Sequence, residues 1–226
     1  MAPLMLIIGM ICALKRQKRT GATSAELLVI IILLLVACFV AAPRIVPTKG
    51  DPLKAQRIKC VNNLKNVGLA VRIYAIENND RFPYSTAGTN RAAFEQLKAS
   101  DYYLALTNEL STPKIITCPS DANRRQVETW PGFSNESLGF FANLSANHTN
   151  PAAFLAGDRN LMLNGQPLAR GPHEIFTSQA LSWSPEIHNE SGNVARADGS
   201  VQQFSNQALL RGFPATGVAT NRLLIP

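Results

Sequence analysis

No serine of this chain, Ser182 and Ser184 included, stands in a Gly-x-Ser-x-Gly context, and no glycine-rich phosphate loop is present. The usual frameworks for a hydrolase nucleophile or a nucleotide cradle are therefore missing. There is no Asp-x-Asp-x-Asp run to supply the oxygen ligands of a calcium loop. The three histidines and four cysteines offer no Cys/Cys or Cys/His pair at the close spacing of a zinc ligand set. Positive charge is also scarcer than the net +7 suggests, because Lys15, Arg16, Lys18 and Arg19 precede Gly21 while all 15 acidic residues follow it. Of the 22 basic residues that leaves 18 against 15 acidic ones beyond Gly21, which is no phosphate-binding surplus. The expectation is a protein that is not an enzyme, carries no cofactor or metal, and does not bind nucleic acid.

What the chain does have is concentrated near its start. The basic cluster Lys15-Arg16-Gln17-Lys18-Arg19 is followed by Gly21, then Ala22-Thr23-Ser24-Ala25-Glu26, then an apolar run from Leu27 to Ala42. Residues 22–42 are expected to form a transmembrane helix with Glu26 at its threshold. A charge at the centre of such a helix costs roughly 2.5 to 3.5 kcal/mol on insertion scales, so Glu26 calls for a partner within the membrane. The cationic flank places residues 1–21 in the cytoplasm and everything after residue 42 across the membrane. An ordinary signal anchor has the same topology, but needs neither Gly21 next to Ala22 nor Glu26 inside the helix. The earlier apolar stretch Met1 to Leu14 is too short, at about 1.5 Å per residue, to cross a core of about 30 Å. It is a signal-like leader, or the true start is Met10.

Pro43, Pro47, Gly50 and Pro52 crowd residues 43–53, which reads as a hinge because interior prolines remove a helical hydrogen bond and clash with the preceding turn. A second helix is expected from Leu53 to Glu77, with Ile58, Val61, Leu64, Gly68, Val71 and Ala75 on its packing face. Asn78-Asn79-Asp80 stops it. Beyond lie an expected helix over 91–106, strands near 114–117, 153–157 and 181–183, and a hairpin of 193–197 with 200–204. A last helix is expected over 206–211. In the hairpin Asp198-Gly199 reads as a two-residue type I′ turn. The connection from Asp121 to His148, rich in Asn, Ser, Gly and Pro, reads as a surface excursion. The N-x-S/T triplets at Asn135, Asn143, Asn147 and Asn189 read as polar, exposed loops. Helices first and strands later give an α+β domain, residues 54–226, in which an antiparallel sheet packs on the second helix.

Cysteine chemistry follows compartment. Cys12 lies in the leader and Cys38 in the apolar run, whereas Cys60 and Cys118 would both face an oxidising space if the domain is exported. A Cys60–Cys118 bridge would be worth roughly 4 kcal/mol on the chain-entropy model; two buried free thiols are the open alternative.

The segment from the basic cluster to Glu26 resembles the processing site of type IV prepilins and type II secretion pseudopilins. There a basic leader ends in Gly, a peptidase cuts after it, and Glu is the fifth mature residue. Here Gly21 and Ala22 would flank the cut and Glu26 would be the fifth residue; the family more often has Phe where Ala22 stands. Arg57-Ile58-Lys59-Cys60-Val61-Asn62-Asn63-Leu64-Lys65-Asn66-Val67-Gly68-Leu69-Ala70 resembles the post-membrane helix of pseudopilin-like proteins of Verrucomicrobia and Planctomycetes. Cys118-Pro119-Ser120-Asp121 and Gly157-Asp158-Arg159-Asn160 resemble further segments of the same proteins. His188, nine residues, then Asp198-Gly199 is similar to their H-x9-DG signature, whose role is open. His188 and Asp198, with His173 and Glu174, could converge on a metal or partner group; a hairpin turn at Asp198-Gly199 is the simpler reading.

The resemblance implies a pilin-like architecture and an inner-membrane pseudopilin. Such a subunit would be cleaved after Gly21 and assembled through its N-terminal helix into a periplasmic filament of a type II secretion-like system. Its partners would be a prepilin peptidase, other pseudopilin subunits, an inner-membrane secretion platform and membrane lipid. In the filament Glu26 would neutralise the new amino group of Ala22 on a neighbour. A type IV minor pilin and an uncleaved membrane-anchored periplasmic binding module are the alternatives.

Overall fold

The computed structural model describes residues 23–45, 51–86 and 90–226, and of residues 39–45 the backbone only. The leader, Gly21 and Ala22, and residues 46–50 of the expected hinge lie outside the described residues. The chain divides into two compact units, one ending at Gly50 and the other beginning at Asp51.

In the first unit, helix α1 runs Ser24–Ile45, so it continues past Pro43 rather than stopping there. The side chains from Leu27 to Val36 are all roughly half exposed or more. Among the described residues no helix is long and apolar enough to cross a membrane. The described side chains of α1 end at Cys38, roughly 22 Å along the helix from Ser24, short of a core of about 30 Å.

The second unit is an α+β domain, as the order of elements implies. Helix α2 (Pro52–Glu77) is started by Asp51, whose carboxylate accepts the Leu53 amide at 3.0 Å, with Pro52 in the first turn where no amide is needed. It ends at Asn78, and Asn79 and Asp80 take positive φ, an arrangement these two residue types tolerate. Its buried face is Cys60, Leu64, Val67, Gly68, Val71 and Ala75; Ile58, expected there, is 52% exposed. The expected 91–106 helix is two short ones, α3 (Arg91–Phe94) and α4 (Ala99–Leu104). Residues 113–116 form a 3-10 turn where a strand was expected, because Pro113 supplies no ladder donor and Thr112 caps the Lys114 amide instead.

Nine strands follow: β1 (Phe140–Asn143), β2 (Phe154–Asp158), β3 (Leu161–Leu163), β4 (Gln166–Pro167), β5 (Gly171–Phe176), β6 (Leu181–Trp183), β7 (Ser191–Arg196), β8 (Val201–Ser205) and β9 (Thr220–Ile225). Helix α5 (Asn206–Gly212) lies between the last two. A six-stranded antiparallel sheet is ordered β5-β9-β1-β2-β7-β8, and a smaller sheet β4-β3-β6. The large sheet is buried on both sides. Phe140, Ala142, Leu155, Ala195 and Leu224 share a core with α2, whereas Phe141, Phe154, Val194, Leu223 and Ile225 share one with Trp183, Leu209 and Phe213.

That double burial overturns two expectations. The 121–148 connection is not a surface excursion, since it contains β1, fully buried in the middle of the sheet. Asn143 marks no exposed loop either: it is 1% exposed and donates to the Phe154 carbonyl at 2.8 Å and to Asn221 at 2.9 Å. A strand covered on both faces shows a continuous apolar run instead of alternation, which hides it from a period-two reading. The β7–β8 hairpin forms, but its turn is not type I′. Only Gly199 has positive φ (86°), with its amide bonded to the Arg196 carbonyl and the Arg196 amide to the Ser200 carbonyl, a three-residue loop with glycine in the left-handed position.

Candidate functional site

Four separate stretches of sequence meet around Cys60 on the buried face of α2. Cys60 and Cys118 are joined by a disulfide with Cα atoms 4.8 Å apart, so of the two states open to them the structure holds the bridge. Cys118 is delivered by the 3-10 turn before it. Asn63 of α2 fixes that segment by donating to the Thr117 carbonyl at 2.9 Å. Gly139 passes so close behind that a Cβ there would stand 2.7 Å from the Cys118 nitrogen, which leaves room only for glycine.

Arg159 joins two of the motif segments. Its Nε and one terminal nitrogen donate to the two carboxylate oxygens of Asp121 at 2.7 and 2.9 Å, and it also reaches Glu186. This paired geometry is the strong form of an Arg–carboxylate contact and locks the Cys118–Asp121 turn to the end of β2. The neighbouring Asn160 donates to the Ser184 carbonyl at 2.8 Å.

Asp158, the last residue of β2, is fully buried. Its Oδ2 accepts from the Asn193 amide at 2.6 Å and the Asn193 side chain at 2.9 Å, while Oδ1 has no hydrogen-bond partner. His188 is 4% exposed, and its Nε2 lies 3.4 Å from both the Cys118 sulfur and Asp158 Oδ2. Desolvation dominates both groups. It pushes the Asp158 carboxyl up to about 7 against the opposing Asn193 hydrogen bonds. It pushes the His188 imidazole down to about 4, helped by the nearby Arg57 cation. The imidazole is therefore neutral at pH 7 and the contact with Asp158 is not a full ion pair.

Asn189 and Glu190 hold positive φ in succession just after His188, turning the chain so that the imidazole points inward and its carbonyl outward. The carbonyl accepts from Arg57 at 3.0 Å and Ser191 at 2.5 Å. Beside it opens a cleft of about 330 Å³ lined by Asp51, Lys54, Arg57, Ser120, His188 and Asn189, among others.

His188 and Asp198 do not converge. They stand at opposite ends of β7, whose six residues span roughly 20 Å. Asp198 caps the hairpin, accepting the Ser200 amide at 2.8 Å, and its carbonyl takes a hydrogen bond from Arg72 of α2 at 2.8 Å. Arg57 at the His188 end and Arg72 at the Asp198 end are fifteen residues apart on α2, about 22 Å of helix. The H-x9-DG spacing thus matches one strand to one stretch of helix, pinned at both ends by arginines. Gly68 faces the Gly199 turn, where a Cβ on Gly68 would meet the Gly199 Cα at 3.5 Å, an ordinary van der Waals contact. His173 and Glu174 lie elsewhere, on β5, where Glu174 pairs with Arg222 at 2.7 Å and His173 contacts the Ala169 carbonyl.

At the other candidate position, Glu26 sits in the first turn of α1 and its Oε2 accepts the Thr23 amide at 3.1 Å. That is half of a capping box, Thr23-x-x-Glu26, a local role that the spacing of the two residues signals. Asp158, Arg159 and Arg57 stand far apart in the chain, and their positions carry no sign that they gather around one disulfide.

Comparison with known protein families, curated proteins and solved structures gives no match.

Proposed function

We propose that this chain is a pseudopilin-type subunit: an inner-membrane protein with its domain in the periplasm, cut after Gly21 and assembled through α1 into a filament of a type II secretion-like system. It acts by displacement and contact, not by chemistry. The observation that carries this reading is α1 itself. Ten consecutive apolar side chains, Leu27 to Val36, are each roughly half exposed or more, and one carboxylate precedes them. A helix apolar on every side through Leu27 to Val36 is stable only in lipid or against other helices, and the carboxylate at its start needs a counter-charge there. The second unit has its own core on both faces of its large sheet. A bridge between Cys60 and Cys118 agrees with an oxidising compartment.

The Thr23–Glu26 contact supports a second reading, the uncleaved membrane-anchored module, because it gives Glu26 work without a neighbour. Glu26→Gln separates the two. Glutamine serves at this position of a capping box as glutamate does, but carries no charge to pair with the amino group of Ala22. Under the filament reading Glu26→Gln leaves the domain folded and removes subunit cross-links in native membranes. The protein extracted from those membranes begins at Ala22 by intact mass and N-terminal sequencing. Retention of Lys15 to Arg19, with cross-linking indifferent to Glu26→Gln, would establish the anchored module instead.

A further inference from the structure

We propose that the reduced protein binds a zinc ion between Cys60, Cys118, His188 and Asp158, so that one buried site alternates between a disulfide and a metal centre. This does not depend on the filament reading.

The geometry is that of a tetrahedral ligand set with one edge closed by a covalent bond. A zinc ion with Zn–S about 2.3 Å and Zn–N and Zn–O about 2.0 Å holds neighbouring nitrogen, sulfur and oxygen ligands about 3.3 to 3.6 Å apart. His188 Nε2 already stands 3.4 Å from the Cys118 sulfur and 3.4 Å from Asp158 Oδ2. The two sulfurs and a His188 ring nitrogen all lie within 4.8 Å of one another. The sulfur–sulfur edge is held short by the bond, and breaking it frees both side chains to swing apart to the separation of two zinc thiolates, about 3.8 Å, and to draw in around an ion beside His188 and Asp158.

Independent observations point to a ligand here. Asp158 is fully buried, yet its Oδ1 has no hydrogen-bond partner, which leaves that oxygen free to join Oδ2 in binding a cation from both carboxylate oxygens. The two Asn193 bonds to Oδ2 supply the outer-shell orientation that metal-binding carboxylates have. Two thiolates, one carboxylate and a divalent ion leave one negative charge, and Arg57, bonded to the His188 carbonyl at 3.0 Å, faces it. The cleft lined by Arg57, Ser120 and His188 gives an entry path.

The exchange balances. A dithiol gives two electrons and two protons to the Cys60–Cys118 bond and is itself oxidised to a disulfide; a phosphine gives the two electrons while a water molecule supplies the protons and the oxygen of the phosphine oxide. The two thiols formed lose their protons to solvent as the ion binds. Zinc is the expected occupant because two sulfurs with one imidazole favour it over magnesium or calcium.

The test uses the full chain in detergent, in a Cys12→Ser, Cys38→Ser background so that Cys60 and Cys118 are the only thiols. It is reduced with a phosphine under argon and titrated with Co²⁺ as a spectroscopic stand-in. The expected result is one equivalent bound with the visible bands of tetrahedral cobalt and sulfur-to-cobalt charge transfer, bleached by stoichiometric Zn²⁺. The oxidised protein shows neither signal. His188→Ala weakens binding at least roughly tenfold, and Asp158→Asn weakens it while keeping the charge-transfer band. Absence of the tetrahedral spectrum in the reduced protein would overturn the proposal and leave a buried disulfide packed against a neutral histidine. So would the same spectrum in the oxidised protein or in a Cys60→Ser, Cys118→Ser variant.

Discussion

The two long helices are built from similar residues to opposite ends. Helix α2 presents small and medium apolar groups on one face, Cys60, Leu64, Val67, Val71 and Ala75, all 5% exposed or less, and polar residues over most of the rest. Helix α1 presents leucine, isoleucine and valine in every direction and buries none of Leu27 to Val36. A striped helix defines where its partner must be, and here that partner is the sheet of the same chain. An unstriped helix defines only its solvent, and singles out no face for a partner. The domain's stability is therefore expected to be indifferent to α1, and any assembly to depend on it.

The largest effect expected is on the bond that ties α2 to the rest of the domain. Reducing Cys60–Cys118 with metal chelated should lower unfolding stability by about 4 kcal/mol, for a loop of 58 residues. Urea titration of the full chain in detergent, read by the fluorescence of Trp130 and Trp183, measures it. Leu64→Ala, which empties the centre of the buried face, should cost about 3 kcal/mol in the same titration. A loss below 1 kcal/mol for Leu64 would mean that α2 is held by its ends and not by its face.

The pH dependence sharpens the picture of what lies under α2. Asp158 has its folded pKa raised from 3.8 to about 7, so the folded state holds more protons and this group's contribution is lost as pH rises through that window. His188 has its folded pKa lowered from 6.5 to about 4, so its contribution is present above 6.5 and lost as pH falls towards 4. Between about 4 and 6.5 the two slopes oppose and the wild-type midpoint should stay nearly flat. Asp158→Asn leaves His188 alone, and its midpoint should climb over that range; a flat profile in the variant would remove the buried-histidine account.

The smallest effect is expected in α1. Leu33→Ala removes as much side chain as Leu64→Ala, yet should leave the domain's urea midpoint within about 0.5 kcal/mol of wild type, because Leu33 is 53% exposed. Comparable losses at Leu33 and Leu64 would collapse the comparison.

Much of this was legible in the chain. Asn78-Asn79-Asp80 marks the end of α2 and Asp198-Gly199 a hairpin, whereas Asp51-Pro52, assigned to the hinge by its proline, is the start of α2. These are local signals, carried by caps, proline and the tolerance of Asn and Gly for positive φ. The misses are non-local. Strand β1 was hidden because a four-residue run buried on both faces has no period, and in β9 the run Leu223-Leu224-Ile225 is likewise buried without alternation. At 113–116 a proline decided against a strand that the apolar residues Ile115 and Ile116 suggested.

The site divides the same way. Cys60, Cys118 and His188 could each be picked out, and the spacing of His188 to Asp198-Gly199 could be counted. Their meaning could not, because the contacts that define it span 58 residues in the disulfide and 70 in the His188–Cys118 approach. Amino-acid order determined the things that depend on near neighbours: where helices start, where the chain turns, and that one helix has no polar face. Only tertiary structure decided that a strand of ten-residue spacing lies along fifteen residues of helix, and that a carboxyl, an imidazole and two sulfurs are buried side by side. The physical reason is that burial and the displacement of protonation equilibria belong to a place in space, and that place is made by sheet pairing between distant segments.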